Sequence, residues 1–263
     1  MAHEIEVEVT VRVAGRQQLR FTAPVRHNPN WAEQPRVPAG APEGGEWTVG
    51  GPGAAPPAKG EHPTRESALA SLKTQGMGTK DHELGGYPDD DLALRHLNAI
   101  DKEVDRVRTA YPKLAALLDK FPVHYFELRY DPKLRHASAG SAAIGGDNLT
   151  IHTKEGDLEH NLHVGTGIRN ENVTAGALGT LRHELSHHLE PKLLTPEWQR
   201  LYDSKPRTWW TDKVSARASF KSNEALAESV AAYTSPLYGQ TGKRLPAAVE
   251  KYLERTIGPS GPG

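Results

Sequence analysis

Residues 179–190 read GTLRHELSHHLE, and the fold and chemistry of the chain turn on this stretch. Leu181, Leu185 and Leu189 recur every four residues, the spacing of one buried helix face. On such a helix His183 and His187 lie about 40° apart, one turn above the other, so both imidazoles reach one ion. Glu184 sits about 100° from His183, off the ligand axis and beside it, where a carboxylate can contact a water held by that ion. The chain has no Cys and 13 His, so any metal ligands must be His, Asp or Glu. The spacing predicts a helix over Asn172–Leu189.

H-E-x-x-H on a helix is the zinc-hydrolase arrangement, two ligands with a general base between them. A catalytic zinc needs a third protein ligand and an open position. A third His in the metzincin pattern would require Gly at 190 and His at 193. The chain has Glu190 and Leu193 there, which excludes that pattern. The next candidate is Asn223-Glu224-Ala225-Leu226-Ala227-Glu228, where two glutamates stand at i, i+4 on one helix face. One can ligate the metal while the other accepts a hydrogen bond from a ligand imidazole. Ala225, Leu226, Ala227, Val230 and Ala231 around them predict a buried helix, in which glutamates need a charged partner. A contrasting piece, Asp81-His82-Glu83-Leu84-Gly85-Gly86, starts like the motif but has Gly86 in place of the second His. It is expected to be a loop.

VSARASFKSNEALAES (214–229), taken with RHELSHHLE (182–190), resembles the gluzincin peptidases of the anthrax-lethal-factor-like group. The resemblance implies His183, His187 and Glu224 as zinc ligands, Glu184 as catalytic base and Glu228 as the carboxylate that holds a ligand imidazole. It also implies a compact helical domain with a short sheet beside the active helix, over about three quarters of the chain. The family carries a Tyr seven residues before the ligand Glu, used to stabilise the oxyanion; Arg217 stands there. A guanidinium is always charged and can stabilise an oxyanion, yet it repels a nearby Zn²⁺. Arg217 is therefore either a substituted catalytic electrophile or a mark of weakened activity. Tyr233, Tyr238, His188 and His163 are the alternatives.

Outward from this core, Glu66–Leu72, Asp90–Thr109, Pro112–Leu118, Asn223–Tyr233 and Pro246–Ile257 show helical spacing or helix-start signals. In the second, Leu94, Leu97, Ile100, Val104 and Val107 form an apolar stripe. VHYFELRY (123–130) is β-branched and aromatic, hence a strand. SAAIGGDNLTIHT (141–153) reads as two short strands around a Gly-Gly-Asp-Asn turn. By analogy with other zincins, Asp147–Thr153 is the expected edge for an extended peptide. Trp209-Trp210 lies in the connection between the metal helices and is expected in the core or a cleft wall. The expected fold class is α+β.

The N-terminal part has a different character. EIEVEVTVRV (4–13) alternates strictly, and QLRFTA (18–23) can return beside it as a hairpin over residues 1–23, which is marginal unless it packs on something. Residues 24–63 hold nine Pro and seven Gly and read as a linker. Within it QPRVPAGAPEGGEWT (34–48) resembles a short tail element of bacteriophage head and portal-associated proteins, which implies a phage-associated chain tethered by its hairpin to a head or other assembly protein. The zincin-like domain is expected over 64–258, with a flexible tail at 259–263.

Charge is balanced, 32 Lys+Arg against 33 Asp+Glu, which gives no bulk case for nucleic acid or an anionic membrane. There is no apolar run near 18 residues and no apolar signal segment, so the expected location is a virion or a host cytoplasm. The functional expectation is zinc-dependent hydrolysis of peptide or protein substrates. The alternatives are a non-catalytic virion protein with a structural metal site, and an injected effector carrying a peptidase.

Overall fold

The computed structural model describes residues 5–13, 17–25, 61–133, 140–142, 147–154, 158, 162, 164, 176–240 and 244–259. The chain divides into two units between Pro56 and Pro57. In the first, β1 (Ile5–Val13) pairs antiparallel with β2 (Gln17–Val25), with Ile5 opposite Val25 and Val13 opposite Gln17. The second strand thus runs two residues into the stretch expected to be linker. The phage-like segment 34–48 lies outside the described residues, as does His163.

The second unit is α+β. Thr64 caps α1 (Arg65–Thr74), its hydroxyl accepting from the Ser67 N–H. Just before it, His62 Nε2 meets buried Asp101 Oδ2 at 3.0 Å and its backbone exchanges two hydrogen bonds with Asn98. The end of the Pro/Gly stretch is therefore pinned to α2 (Asp90–Ala110), whose own N-cap is Asp89. Leu97, Ile100, Val104 and Val107 of the anticipated stripe are buried, with Leu94 packed at their margin. Pro112 opens α3 (Pro112–Lys120), where its missing N–H costs nothing.

Four strands make one sheet in the order β3-β4-β6-β5. They are β3 (Met77–Gly85), β4 (Val123–Tyr130), β5 (Gly140–Ala142) and β6 (Asn148–Thr153). β3, β4 and β6 lie parallel and β5 runs antiparallel to β6. Val123, Phe126 and Leu128 of β4 and Leu149 and Ile151 of β6 enter the core. Alternate residues such as Tyr125 and Arg129 face outward. Two expectations are corrected here. Asp81–Gly85 is strand, not loop, because its backbone pairs with β4 although its side chains carry no alternating apolar signal. Asp147–Thr153 is not a free edge, because β6 pairs with β4 along its length and with β5 at Leu149–Ile151; β3 and β5 are the edges among the described strands.

The rest of the described unit is helical. Its helices are α4 (Ala177–His188), α5 (Glu190–Leu193), α6 (Pro196–Asp203), α7 (Arg207–Lys213), α8 (Ser222–Tyr233) and α9 (Ala247–Ile257), with a 3-10 turn at Arg217–Ser219 before α8. α4 packs on β5, β6 and α8. Asn172–Ala175, expected to begin that helix, lie outside the described residues. The Trp pair belongs to α7: Trp210 is fully buried against Trp198 and Tyr202, and Trp209 is half-buried at its edge. Among the described residues no helix is long and apolar enough to cross a membrane.

A buried ionic network fixes α4 against its neighbours. Arg182, one residue before His183, places Nη1 2.6 Å from Glu103 Oε1 of α2 and donates through Nε to the Ala231 carbonyl of α8 at 3.2 Å. Arg106 grips the same carboxylate at 2.6 and 2.8 Å and also donates to the Thr234 carbonyl. The two helices that carry the candidate ligands are thus tied to each other and to α2.

Candidate metal centre

His183 and His187 project from adjacent turns of α4, and their rings meet edge-on with centroids 4.8 Å apart. Their Nε2 atoms are 3.1 Å apart. Glu224, in the first turn of α8, straddles the pair. Its Oε2 is 3.4 Å from His183 Nε2 and its Oε1 is 3.5 Å from His187 Nε2. Among the described residues these three form a group that can hold a metal ion.

The far sides of both rings are held by carboxylates. His183 Nδ1 donates to Glu228 Oε1 at 2.8 Å, and Glu228 also accepts from Ser215 Oγ at 2.8 Å. His187 Nδ1 donates to Glu190 Oε2 at 3.3 Å, an oxygen that also accepts from Asn223 Nδ2 at 3.3 Å. With the Nδ1 protons committed, the neutral rings turn their Nε2 lone pairs toward each other. Two acceptor nitrogens at this distance, facing a carboxylate, require a proton or a cation among them.

The electrostatics agree. Burial alone pulls the His183 imidazole down, but Glu224 and Glu228 outweigh it and raise its pKa to about 9 in the metal-free protein. Burial likewise pushes the Glu224 carboxyl up, yet hydrogen bonds from His183, His187 and Arg217 hold it well below the usual carboxylate range. Glu184 is buried on the α4 face beside the cluster. Burial pushes its carboxyl above the ordinary value, against the pull of His183, His187 and Arg217, the direction suited to a group that must take and return a proton.

Each site residue expected from the sequence lies in or beside this cluster. Arg217 does so differently from expectation. Its Nε donates to Glu224 Oε2 at 2.6 Å, so it grips the candidate ligand while its side chain stays 41% exposed. Of the alternatives to it, the three among the described residues are engaged elsewhere. Tyr233 donates to the Gly258 carbonyl, Tyr238 to Glu250, and His188 Nε2 lies 2.8 Å from the Phe121 carbonyl oxygen.

Sequence reasoning missed four contributors. Glu190 was legible, since it follows His187 at i+3 and short helix spacing brings such pairs together. Asn223 and Ser215 act through tertiary hydrogen bonds, the first where α8 meets the residues just after α4 and the second where the 3-10 turn packs on α8. Gly140 is the fourth. A Cβ there would come 2.5 Å from Thr180 Cγ2 and 2.7 Å from Glu184 Cγ. Only a glycine lets the edge strand β5 lie directly against the Glu184 side chain.

No protein-family model matches the chain, and no curated protein matches it. Among solved structures it is similar to that of a candidate zinc-binding metallo-peptidase from Bacteroides caccae ATCC 43185. The two share 14% identity over 75% of this chain and 88% of that one, with a TM-score of 0.46.

Proposed function

We propose that the chain is a zinc-dependent metallopeptidase of the gluzincin type, with His183, His187 and Glu224 as ligands and Glu184 as base. The observation that carries this reading is the convergence of two lone-pair nitrogens and one carboxylate, each imidazole backed by its own carboxylate, with a buried glutamate beside them. The spacings suit zinc. Ligands at about 2.0–2.1 Å in a tetrahedron stand roughly 3.3–3.4 Å from one another. The nitrogens here are 3.1 Å apart, and each lies 3.4 or 3.5 Å from one oxygen of Glu224. The donor set of two imidazoles and a carboxylate is one zinc uses in catalytic sites, with a position left for water.

When bound, zinc supplies Lewis acidity that makes water a nucleophile near neutral pH. Glu184 takes the proton of the attacking water and returns it to the leaving amine. Glu228 and Glu190 keep the ligand rings oriented through Nδ1. The edge of β5 offers backbone groups to an extended peptide, and Gly140 brings that strand close to Glu184. The hairpin β1–β2 tethers the enzyme to a phage head or other assembly protein, a role supported by the likeness of residues 34–48 to a short tail element of phage head and portal-associated proteins and by a two-stranded ribbon's need for a partner surface.

The test is turnover of a peptide library by the zinc-loaded chain, read by mass spectrometry, alongside Glu184→Gln. The variant is expected to keep its zinc and to lose about 10²–10⁴-fold in rate, the usual contribution of a positioned general base. Undiminished cleavage by Glu184→Gln would remove Glu184 from the mechanism. A wild-type chain that holds zinc yet cleaves nothing in the library would leave the structural, virion-bound reading.

A further inference from the structure

The resemblance placed Arg217 where relatives carry an electrophile, but its contacts point to another task. Its Nε–H is spent on Glu224 Oε2 at 2.6 Å, the shortest polar contact of the candidate ligand set. That oxygen is the one nearer His183, at 3.4 Å, while Oε1 is the one nearer His187, at 3.5 Å. A carboxylate that straddles two ligand nitrogens in this way can give a metal one oxygen or both. A donor fixed on Oε2 decides between the two, because a lone pair held by a guanidinium is poorly available to the ion.

The donor is itself fixed. The 3-10 turn that carries Arg217 is anchored by Ser215, whose hydroxyl accepts from the Ala218 N–H at 3.1 Å and donates to Glu228 Oε2 at 2.8 Å. Glu228 in turn holds His183 Nδ1. The turn is therefore tied to the metal cluster at two points, one on a ligand carboxylate and one on the carboxylate behind a ligand imidazole.

We infer that Arg217 is a positioning residue that clamps Oε2 of Glu224, so that Glu224 offers the metal Oε1 alone and the site stays open for water. The inference rests on the metal reading above. It separates two roles that a cation at this position can play. A clamp acts on Glu224 through Nε, whereas an electrophile acts on the substrate oxygen, a task for the Nη groups of the same guanidinium.

The test uses the full chain loaded with cobalt(II), whose visible absorption is strong in four-coordinate sites and weak in five-coordinate ones. Arg217→Met keeps the apolar stem and removes the donor. Wild type is expected to bind one cobalt with the strong band, and the variant to bind one cobalt with the band reduced roughly twofold or more as Glu224 becomes bidentate. Equal spectra at equal cobalt content would overturn the clamp and leave the zinc reading standing. A wild-type chain that takes up no cobalt and no zinc would instead overturn the zinc reading, and the clamp with it. Circular dichroism checks the fold of the variant, and Arg217→Leu is read in the same way should the Met variant not fold. This readout does not depend on turnover.

Discussion

Replacing Glu103 with Ala tests how the two ligand helices are held in register. Glu103 lies on α2, away from the metal cluster, yet its carboxylate meets Arg182 at 2.6 Å with the two side chains 5% and 1% exposed. Removing it deletes the carboxylate facing a buried guanidinium, and breaking a buried pair from one side costs about 3–5 kcal/mol. For an ordered unit of this size each kcal/mol moves the midpoint by roughly 2–4 °C, so a fall of about 6–20 °C is expected. The assay is thermal and urea unfolding in excess chelator, repeated at one fixed zinc concentration so that ligand linkage does not enter the comparison. A companion variant, Glu103→Leu with Arg182→Met, removes both charges and is expected to lose less than Glu103→Ala alone, since a buried pair replaced by apolar side chains is often neutral. A loss below about 1 kcal/mol in Glu103→Ala, of the size an exposed pair gives, would refute the claim that this network fixes α4.

Gly140→Ala forces a methyl to within 2.7 Å of Glu184 Cγ and should cost about 1–3 kcal/mol as overpacking, with turnover reduced and zinc content unchanged. Wild-type turnover in a purified Gly140→Ala enzyme would show that β5 does not confine Glu184. In the metal-free protein His183 has its pKa raised from 6.5 to about 9, so the stability it contributes is fully present below about pH 6.5 and is lost as pH rises toward 9. Urea unfolding in chelator from pH 6 to 9.5 should follow that fall, and a rise over the same range would contradict the cluster's electrostatics. Because zinc displaces that proton, calorimetry at pH 7.5 in two buffers of different ionisation enthalpy should find about one proton released per zinc bound.

Those parts of the fold with a strong local period were legible in the sequence. The stripe Leu97, Ile100, Val104 and Val107 marks α2, and β-branched and aromatic residues mark β4, because burial on one face writes itself into residue order. β3 was not legible. Asp81, His82 and Glu83 are exposed, and their strand exists through backbone bonding to a neighbour that no local pattern announces. Edge and centre were confused for a related reason: the hairpin of β5 on β6 was read, and β5 does return antiparallel on β6, but nothing local announces that β4 takes the other side of β6. In the site, the helical spacing of His183, Glu184 and His187 was readable, and so was the pairing of Glu224 with Glu228. Which carboxylate backs which imidazole was readable only in part. Glu228 was anticipated behind a ligand ring, while Glu190 escaped notice although its spacing from His187 carried the signal. Arg217 shows the limit most clearly. Its position in the motif was evident, but whether a guanidinium faces a substrate or a ligand carboxylate depends on the turn anchored by Ser215, a tertiary contact to Glu228.

The most direct test of the account is metal content by mass spectrometry on the purified chain, beside His187→Ala. About one zinc per chain is expected, retained through dialysis and lost in the variant, since one imidazole and one carboxylate hold zinc far less tightly than the full set. No zinc in the wild-type chain after reconstitution with excess metal, or equal zinc in both proteins, would contradict the assignment of His183, His187 and Glu224 as a zinc site.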